Sequence, residues 1–71
     1  MRLSTRTRYA ARALLDLAVH QDQQPVSLRE IVARQGVSRK YLEHLFAAMQ
    51  AAGLVRSVRG RRGGYALARA P

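Results

Sequence analysis

The fold of this chain depends on one stretch, Leu28–Leu45, which has the sequence LREIVARQGVSRKYLEHL. Ser27 and Glu30 form a capping-box pattern at its start, in which each side chain accepts a hydrogen bond from an amide of the first turn. We expect the helix that begins there to end at Gly36, because glycine readily adopts the left-handed conformation that closes a helix. Ser38 is a good cap for a second, longer helix. The stretch predicts a helix-turn-helix, although an ordinary helical hairpin gives the same pattern.

A further helix is predicted before this unit. Ser4 or Thr5 can cap a helix that runs to about His20. Apolar residues recur on one of its faces: Ala10, Ala13, Leu14, Leu17 and Ala18. Polar residues recur every four positions on another face: Arg8, Arg12, Asp16 and His20. The polar segment 21–25 ends in proline and is expected to be a linker.

The helix capped by Ser38, which is the third along the chain, and a β-hairpin complete the expected domain. The helix is predicted to run to about Ala52, with an inward stripe of Leu42, Leu45, Phe46 and Met49. Beyond Gly53, β-forming residues at 54–58 and 65–68 flank a turn rich in glycine and arginine. We therefore predict one mainly α domain over residues 1–71, a winged helix-turn-helix with three helices followed by a two-stranded β-hairpin wing.

The composition limits the classes of function. With 71 residues the chain forms one domain, and 13 Lys and Arg against 4 Asp and Glu give a formal charge of +9. This charge favours a polyanionic partner, nucleic acid before an anionic membrane. The chain has no cysteine, which excludes disulfides and thiolate metal sites within these residues. No catalytic cluster and no membrane-length apolar run is present, so we expect a cytoplasmic protein that is not an enzyme and binds no membrane.

Polar side chains are expected on the outer face of the third helix, near its N-terminus. Arg39 and Lys40 can donate to guanine or to phosphate, and Glu43 can accept from cytosine N4. Tyr41 can reach a phosphate or a thymine methyl group, and His44 lies on the outer face too. A solvated surface explains Arg39 and Lys40 equally well when each is taken singly. Together these residues favour a helix that reads base edges in the major groove.

The tip of the predicted wing is strongly basic. Arg59, Arg61 and Arg62 stand within four residues, beside Gly60 and two further glycines. Three arginines on one turn repel each other unless an anionic partner is present, which favours insertion into a minor groove over a merely solubilising turn. The charge distribution agrees, because residues 36–71 carry a net charge of +6 and residues 1–35 a net charge of +3.

Several motifs of the chain also resemble a known family. They are Met1–Ser4, Arg8–Ala10, Leu14–Ala18, Pro25–Val26, Arg34–Ser38, Tyr41–Glu43, Gly53–Gly60 and Gly63–Tyr65. Together they are similar to the family of the bacterial iron–sulfur cluster regulator and the nitric-oxide-sensitive nitrite repressor. The resemblance covers the whole chain, and its most specific part is the wing.

The resemblance implies a homodimeric winged-helix repressor or activator that binds a palindromic operator in double-stranded DNA. The DNA contacts of the family fall here on Ser38, Tyr41, Glu43, His44, Arg59 and Gly60. The chain departs from the family pattern at three places. Thr7 stands where glycine is frequent, His44 where glutamine is common, and Arg61-Arg62 where many members carry Pro-Gly or lysine.

The resemblance also implies a longer protein. Similar proteins continue for about as many residues again, with a long dimerisation helix and often three cysteines that hold a 2Fe–2S or 4Fe–4S cluster. We expect this chain to be the N-terminal DNA-binding part of such a regulator, with the cluster ligands absent from these residues. The expected function is sequence-specific DNA binding in transcription regulation. A winged-helix module for protein interaction or assembly and a non-specific nucleic-acid binder stay open as alternatives.

Overall fold

The computed structural model describes residues 4–20, 22, 25–60 and 63–68. Its elements follow one another along the chain as α1 (Thr5–Val19), α2 (Leu28–Gln35), α3 (Arg39–Ala51), β1 (Val55–Val58) and β2 (Gly64–Leu67). The two strands form an antiparallel hairpin in which Val55 pairs with Leu67 and Val58 with Gly64. This arrangement confirms the predicted winged helix-turn-helix. The predicted linker is described only at residues 22 and 25, so residues 21, 23 and 24 lie outside the described part of the chain.

Each helix begins at a serine whose hydroxyl accepts a hydrogen bond from an amide of the first turn. The distances from Oγ to the donor nitrogen are 3.0 Å for Ser4, 3.2 Å for Ser27 and 3.1 Å for Ser38. The capping box predicted for α2 is complete, since the Ser27 amide donates to Glu30 Oε2 at 3.0 Å. Gly36 closes α2 in the left-handed conformation, with φ of 65°. Local sequence therefore sets where the three helices begin.

The core lies where the three helices and the hairpin meet. Its largest fully buried side chains are Phe46, Leu17, Ile31, Leu42 and Val26. All four residues of the predicted inward stripe of α3 are buried, as are Ala13 and Leu17 of the α1 stripe. Burial of an apolar side chain of this size contributes about 1.5 to 3 kcal/mol. Packing of α3 on its apolar stripe leaves its opposite face in solvent.

Val26 extends the hairpin by one residue from a distant part of the chain. Its amide donates to the carbonyl oxygen of Tyr65 at 2.9 Å, and the Tyr65 amide donates back to Val26 at 2.8 Å. The neighbouring Gly64 permits this approach, because a Cβ atom at that position would lie 2.8 Å from Ser27 N and closer still to Val26 O. The residue before α2 is thus fastened to the wing, a pairing that the sequence patterns did not predict.

Asp16 is buried, although the sequence placed it on a polar face of α1. Its side chain is only 3% exposed, and Arg34 of α2 donates to both of its carboxylate oxygens, at 2.7 and 3.0 Å. Gln35 donates a third hydrogen bond at 3.2 Å. Burial acts to raise the pKa of Asp16, but the hydrogen bonds from Arg34 and Gln35 outweigh it, so the pKa lies below its ordinary value. Asp16 is buried, contrary to the pattern on α1, because α2 packs against that side of α1.

In the part of the chain that the structure describes, no helix has both the length and the apolar character needed to cross a membrane.

Candidate nucleic-acid interface

The outer face of α3 presents the polar side chains predicted for it. Arg39, Lys40, Glu43 and His44 are all exposed. Arg39 Nε donates to Glu43 Oε2 at 3.4 Å, with 64% of the arginine side chain and 54% of the glutamate side chain in solvent. A long, exposed pair of this kind is weak. Both side chains are therefore free to leave it for another partner at little cost.

Ser38 and Tyr41 stand at the start of α3 in a more constrained setting. The Ser38 hydroxyl accepts from the Tyr41 amide, so its oxygen serves as the helix cap while the residue remains exposed. Tyr41 is half-buried, and its ring meets the ring of Tyr9 edge-on, with 5.8 Å between centroids and 78° between planes. This contact fixes the orientation of the Tyr41 ring relative to α1. Both contacts stabilise the position of the start of α3.

The wing places Arg59 at the exposed end of β1. Gly60 has a φ of 120°, a conformation available to glycine, and its carbonyl oxygen accepts from the Gly63 amide at 2.9 Å. A side chain at Gly63 would lie 2.8 Å from Val58 O, so glycine is needed for the tight turn. Arg61 and Arg62, also predicted for the interface, lie outside the described residues.

Helix α3 and the wing contact each other through the core. The ring of Phe46, on the inner face of α3, lies 4.5 Å from the ring of Tyr65 on β2, with 35° between their planes. Tyr65 is the residue that also pairs with Val26. Helix α3 and the described strands of the wing are thus parts of one packed unit, in which α3 contacts β2 directly.

A groove that the sequence analysis missed lies between the helix-turn-helix and the wing. It has a volume of about 250 Å³ and is bordered by Ser27, Leu28, Arg29, Arg39, Ser57, Val58, Gly63, Gly64 and Tyr65. Arg29 comes from α2 and Arg39 from α3, while Ser57 belongs to β1. Arg29, Arg39 and Ser57 are far apart in sequence, and no spacing or motif predicts that they border the same groove.

The residues present do not fit an iron–sulfur cluster. The chain contains no cysteine, and the described residues include no group of three His, Cys, Asp or Glu side chains that can hold a metal ion. Thiolate is the usual ligand of such clusters.

Comparisons with known proteins agree with this geometry. A family profile described as "Rrf2: Iron-dependent Transcriptional regulator" matches residues 3–71. Protein rrf2 of Nitratidesulfovibrio vulgaris is 52% identical over 68 residues, which make up 96% of this chain and 45% of that protein. The HTH-type transcriptional regulator IscR of Vibrio cholerae is 55% identical over 67 residues, or 94% of this chain and 39% of that protein.

Solved structures show the same fold. IscR of T. potens matches with a TM-score of 0.90 at 52% sequence identity, over 100% of this chain and 52% of that one. CymR of B. subtilis, described as the global cysteine regulator, matches with a TM-score of 0.93 at 38% identity, over 100% of this chain and 55% of that one. The chain thus spans about half the length, or less, of these relatives.

Proposed function

The chain belongs to the Rrf2 family of transcriptional regulators, and on this premise we propose that it binds double-stranded DNA sequence-specifically as the DNA-binding unit of a bacterial regulator. The observation that carries the proposal is the outer face of α3. It exposes charged and polar side chains at the N-terminal end of a helix whose opposite face is fully buried. In a helix-turn-helix, that end of the second helix contacts base edges in the major groove.

We assign the side chains of this face by their chemistry. Arg39 and Lys40 donate to guanine or phosphate oxygens, and Glu43 accepts from the amino group of cytosine. His44 follows on the same face and supplies a ring nitrogen to a base edge. Tyr41 reaches a phosphate through its hydroxyl, while Ser38 borders the DNA as the cap of the helix.

The wing enters the adjacent minor groove in this proposal. Arg59 carries the charge, and Gly60 keeps the backbone slender enough to approach the duplex. Arg61 and Arg62 follow in sequence and add to the positive charge of the tip. Arginine in a narrow minor groove responds to the shape of the DNA and to its enhanced negative potential.

The assembly of the full regulator follows from the symmetry of its target. One module contacts only a half-site, which is too short for a unique genomic address. We propose that the longer cytoplasmic protein is a homodimer on a palindromic operator, with half-sites about 34 to 36 Å apart. An iron–sulfur cluster, expected from the resemblance and in keeping with the IscR relatives, would need ligands from residues other than these 71, since they include no cysteine.

Selection from a randomised duplex library tests the proposed function. The chain is expected to enrich one sequence class, and its affinity for the selected duplex should fall with salt at a log–log slope near −0.9 per phosphate contact. Enrichment of no sequence together with steep salt dependence would indicate a non-specific nucleic-acid binder. Absence of any salt-dependent binding would favour the protein-interaction alternative.

A further inference from the structure

The groove between α2, α3 and the wing has the size and lining of an anion site. Its volume of about 250 Å³ is several times the ~30 Å³ that one water molecule takes up in the liquid, so a phosphate group fits within it. Two guanidinium-bearing side chains, Arg29 and Arg39, border it from different helices, and Ser57 borders it from the wing. Among the described residues that line it there is no carboxylate.

We propose that this groove binds one backbone phosphate of the DNA duplex, held jointly by Arg29 and Arg39. The inference deepens the proposed function and rests on it. Guanidinium groups match the geometry of phosphate oxygens and bind them in a bidentate manner. Arg29 and Ser57 thereby join the DNA-binding surface, and Arg39 acts on the phosphate backbone.

Two carboxylates near the groove are engaged elsewhere or held weakly. Glu30 Oε2 accepts from the Ser27 amide at 3.0 Å and so serves the cap of α2. Glu43 meets Arg39 only through Nε, at 3.4 Å and in solvent. A guanidinium group has five N–H donors, so Arg39 can turn its terminal nitrogens to a phosphate. A phosphate oxygen competes well with Glu43 for this arginine, because the exposed pair is weak.

The position of the groove gives the contact a specific consequence. It lies between the helix that faces the major groove and the hairpin that faces the minor groove, and both are fastened to one core. A phosphate bound there fixes the register of the whole domain on the duplex without reading a base. Arg29 and Arg39 should therefore determine affinity and salt dependence, while sequence preference depends on other residues of α3.

Fluorescence anisotropy with a fluorescein-labelled duplex of mixed sequence tests the inference. Arg29→Ala, Arg39→Ala and the double variant are titrated between about 50 and about 200 mM salt. Arg12→Ala is the matched control, because Arg12 is an exposed arginine that lines a different groove beside Asp16 and His20. Both groove arginines are exposed, so the variants should fold, and far-UV circular dichroism checks this.

The expected result follows from counting phosphates. The double variant should lower the salt slope by about 0.9, the value for one phosphate, and each single variant should fall between it and the parent. Between about 50 and about 200 mM salt, the affinity advantage of the parent over the double variant should shrink about 3.5-fold. Arg12→Ala should keep the slope of the parent.

Three results would count against the inference in different ways. A double variant that lowers the slope by about 1.8, with additive single variants, would mean two separate phosphates and would overturn the shared site. Groove variants that behave like Arg12→Ala would remove the groove from the DNA interface while leaving the proposed function intact. A parent chain whose binding shows no salt dependence would instead refute the proposed function itself.

Discussion

Replacing Asp16 with alanine is expected to destabilise the domain by about 2 to 3 kcal/mol, which is a large share of its total free energy of unfolding. Native domains are stabilised by roughly 0.05 to 0.15 kcal/mol per residue, which gives about 4 to 11 kcal/mol for 71 residues. Breaking a buried ion pair usually costs about 3 to 5 kcal/mol. A value at or below the low end of that range applies here because Arg34 is 36% exposed and can regain water when its partner is lost.

Urea denaturation followed by circular dichroism measures this loss. With an m-value near 1 kcal/mol per molar, at the low end of the usual range for a small domain, the midpoint should fall by about 2 to 3 M. Asp22→Ala is the matched control, since Asp22 is exposed and its removal should change the free energy of unfolding by no more than about 0.5 kcal/mol. Arg34→Ala and the double variant complete a cycle in which the coupling energy should reach about 1 to 3 kcal/mol.

The dependence on pH provides an independent check. The pKa of Asp16 is lowered in the folded state, so its contribution to stability is fully present well above the ordinary value of 3.8 and is lost as the pH falls through the folded pKa. The difference in stability between parent and Asp16→Ala should therefore narrow in acid. The reasoning would be refuted by a loss below about 0.5 kcal/mol at neutral pH, the size expected of an exposed pair.

Three further changes test the helix starts, the wing and the outer face of α3, which is proposed to contact base edges and is called the reading face here. Ser38→Ala should remove the cap of α3 at a cost of about 1 kcal/mol, seen as a thermal midpoint roughly 4 to 8 °C lower; an unchanged midpoint would contradict the cap assignment. Gly64→Ala should cost more than Gly53→Ala, because alanine at Gly53 is strained only by the left-handed φ of 78°, whereas at Gly64 the new Cβ would overlap the backbone of Val26; equal urea midpoints would show that the Val26 backbone can move aside. Glu43→Ala should broaden the sequences recovered from a randomised duplex library more than it weakens binding, because a carboxylate near DNA acts mainly against unsuitable sequences; an unchanged preference would remove Glu43 from the reading face.

The helices and the exposed polar face of α3 were predictable because they depend on local rules. A serine cap, a four-residue capping box and a closing glycine are all decided within about one turn of helix, and the structure confirms them at Ser27, Ser38 and Gly36. The spacing of apolar residues every three to four positions along α3 is likewise a local pattern. Since Leu42 and its apolar partners turn inward, the exposure of Glu43 follows from helix geometry alone.

The pairings that join distant parts of the chain were not predictable in this way. Arg34 reaches Asp16 across 18 positions, and a repeat of four residues on α1 gives no sign that α2 will cover that face. Val26, which follows the predicted linker of residues 21–25, pairs with Tyr65, and Gly64 shows its importance only when the backbone of Val26 lies against it.

The sequence by itself determined the order of the elements, the ends of the helices and the basic character of the surface, because these depend on neighbours within a few residues and on composition. Only the tertiary structure decided that Asp16 is buried and that Arg29 and Arg39 border one groove with Ser57. Such meetings depend on how the helices and the hairpin pack around a shared core. The packing arises from the shapes of side chains far apart in sequence, and the periodicity of a single segment does not predict which of these side chains will be in contact.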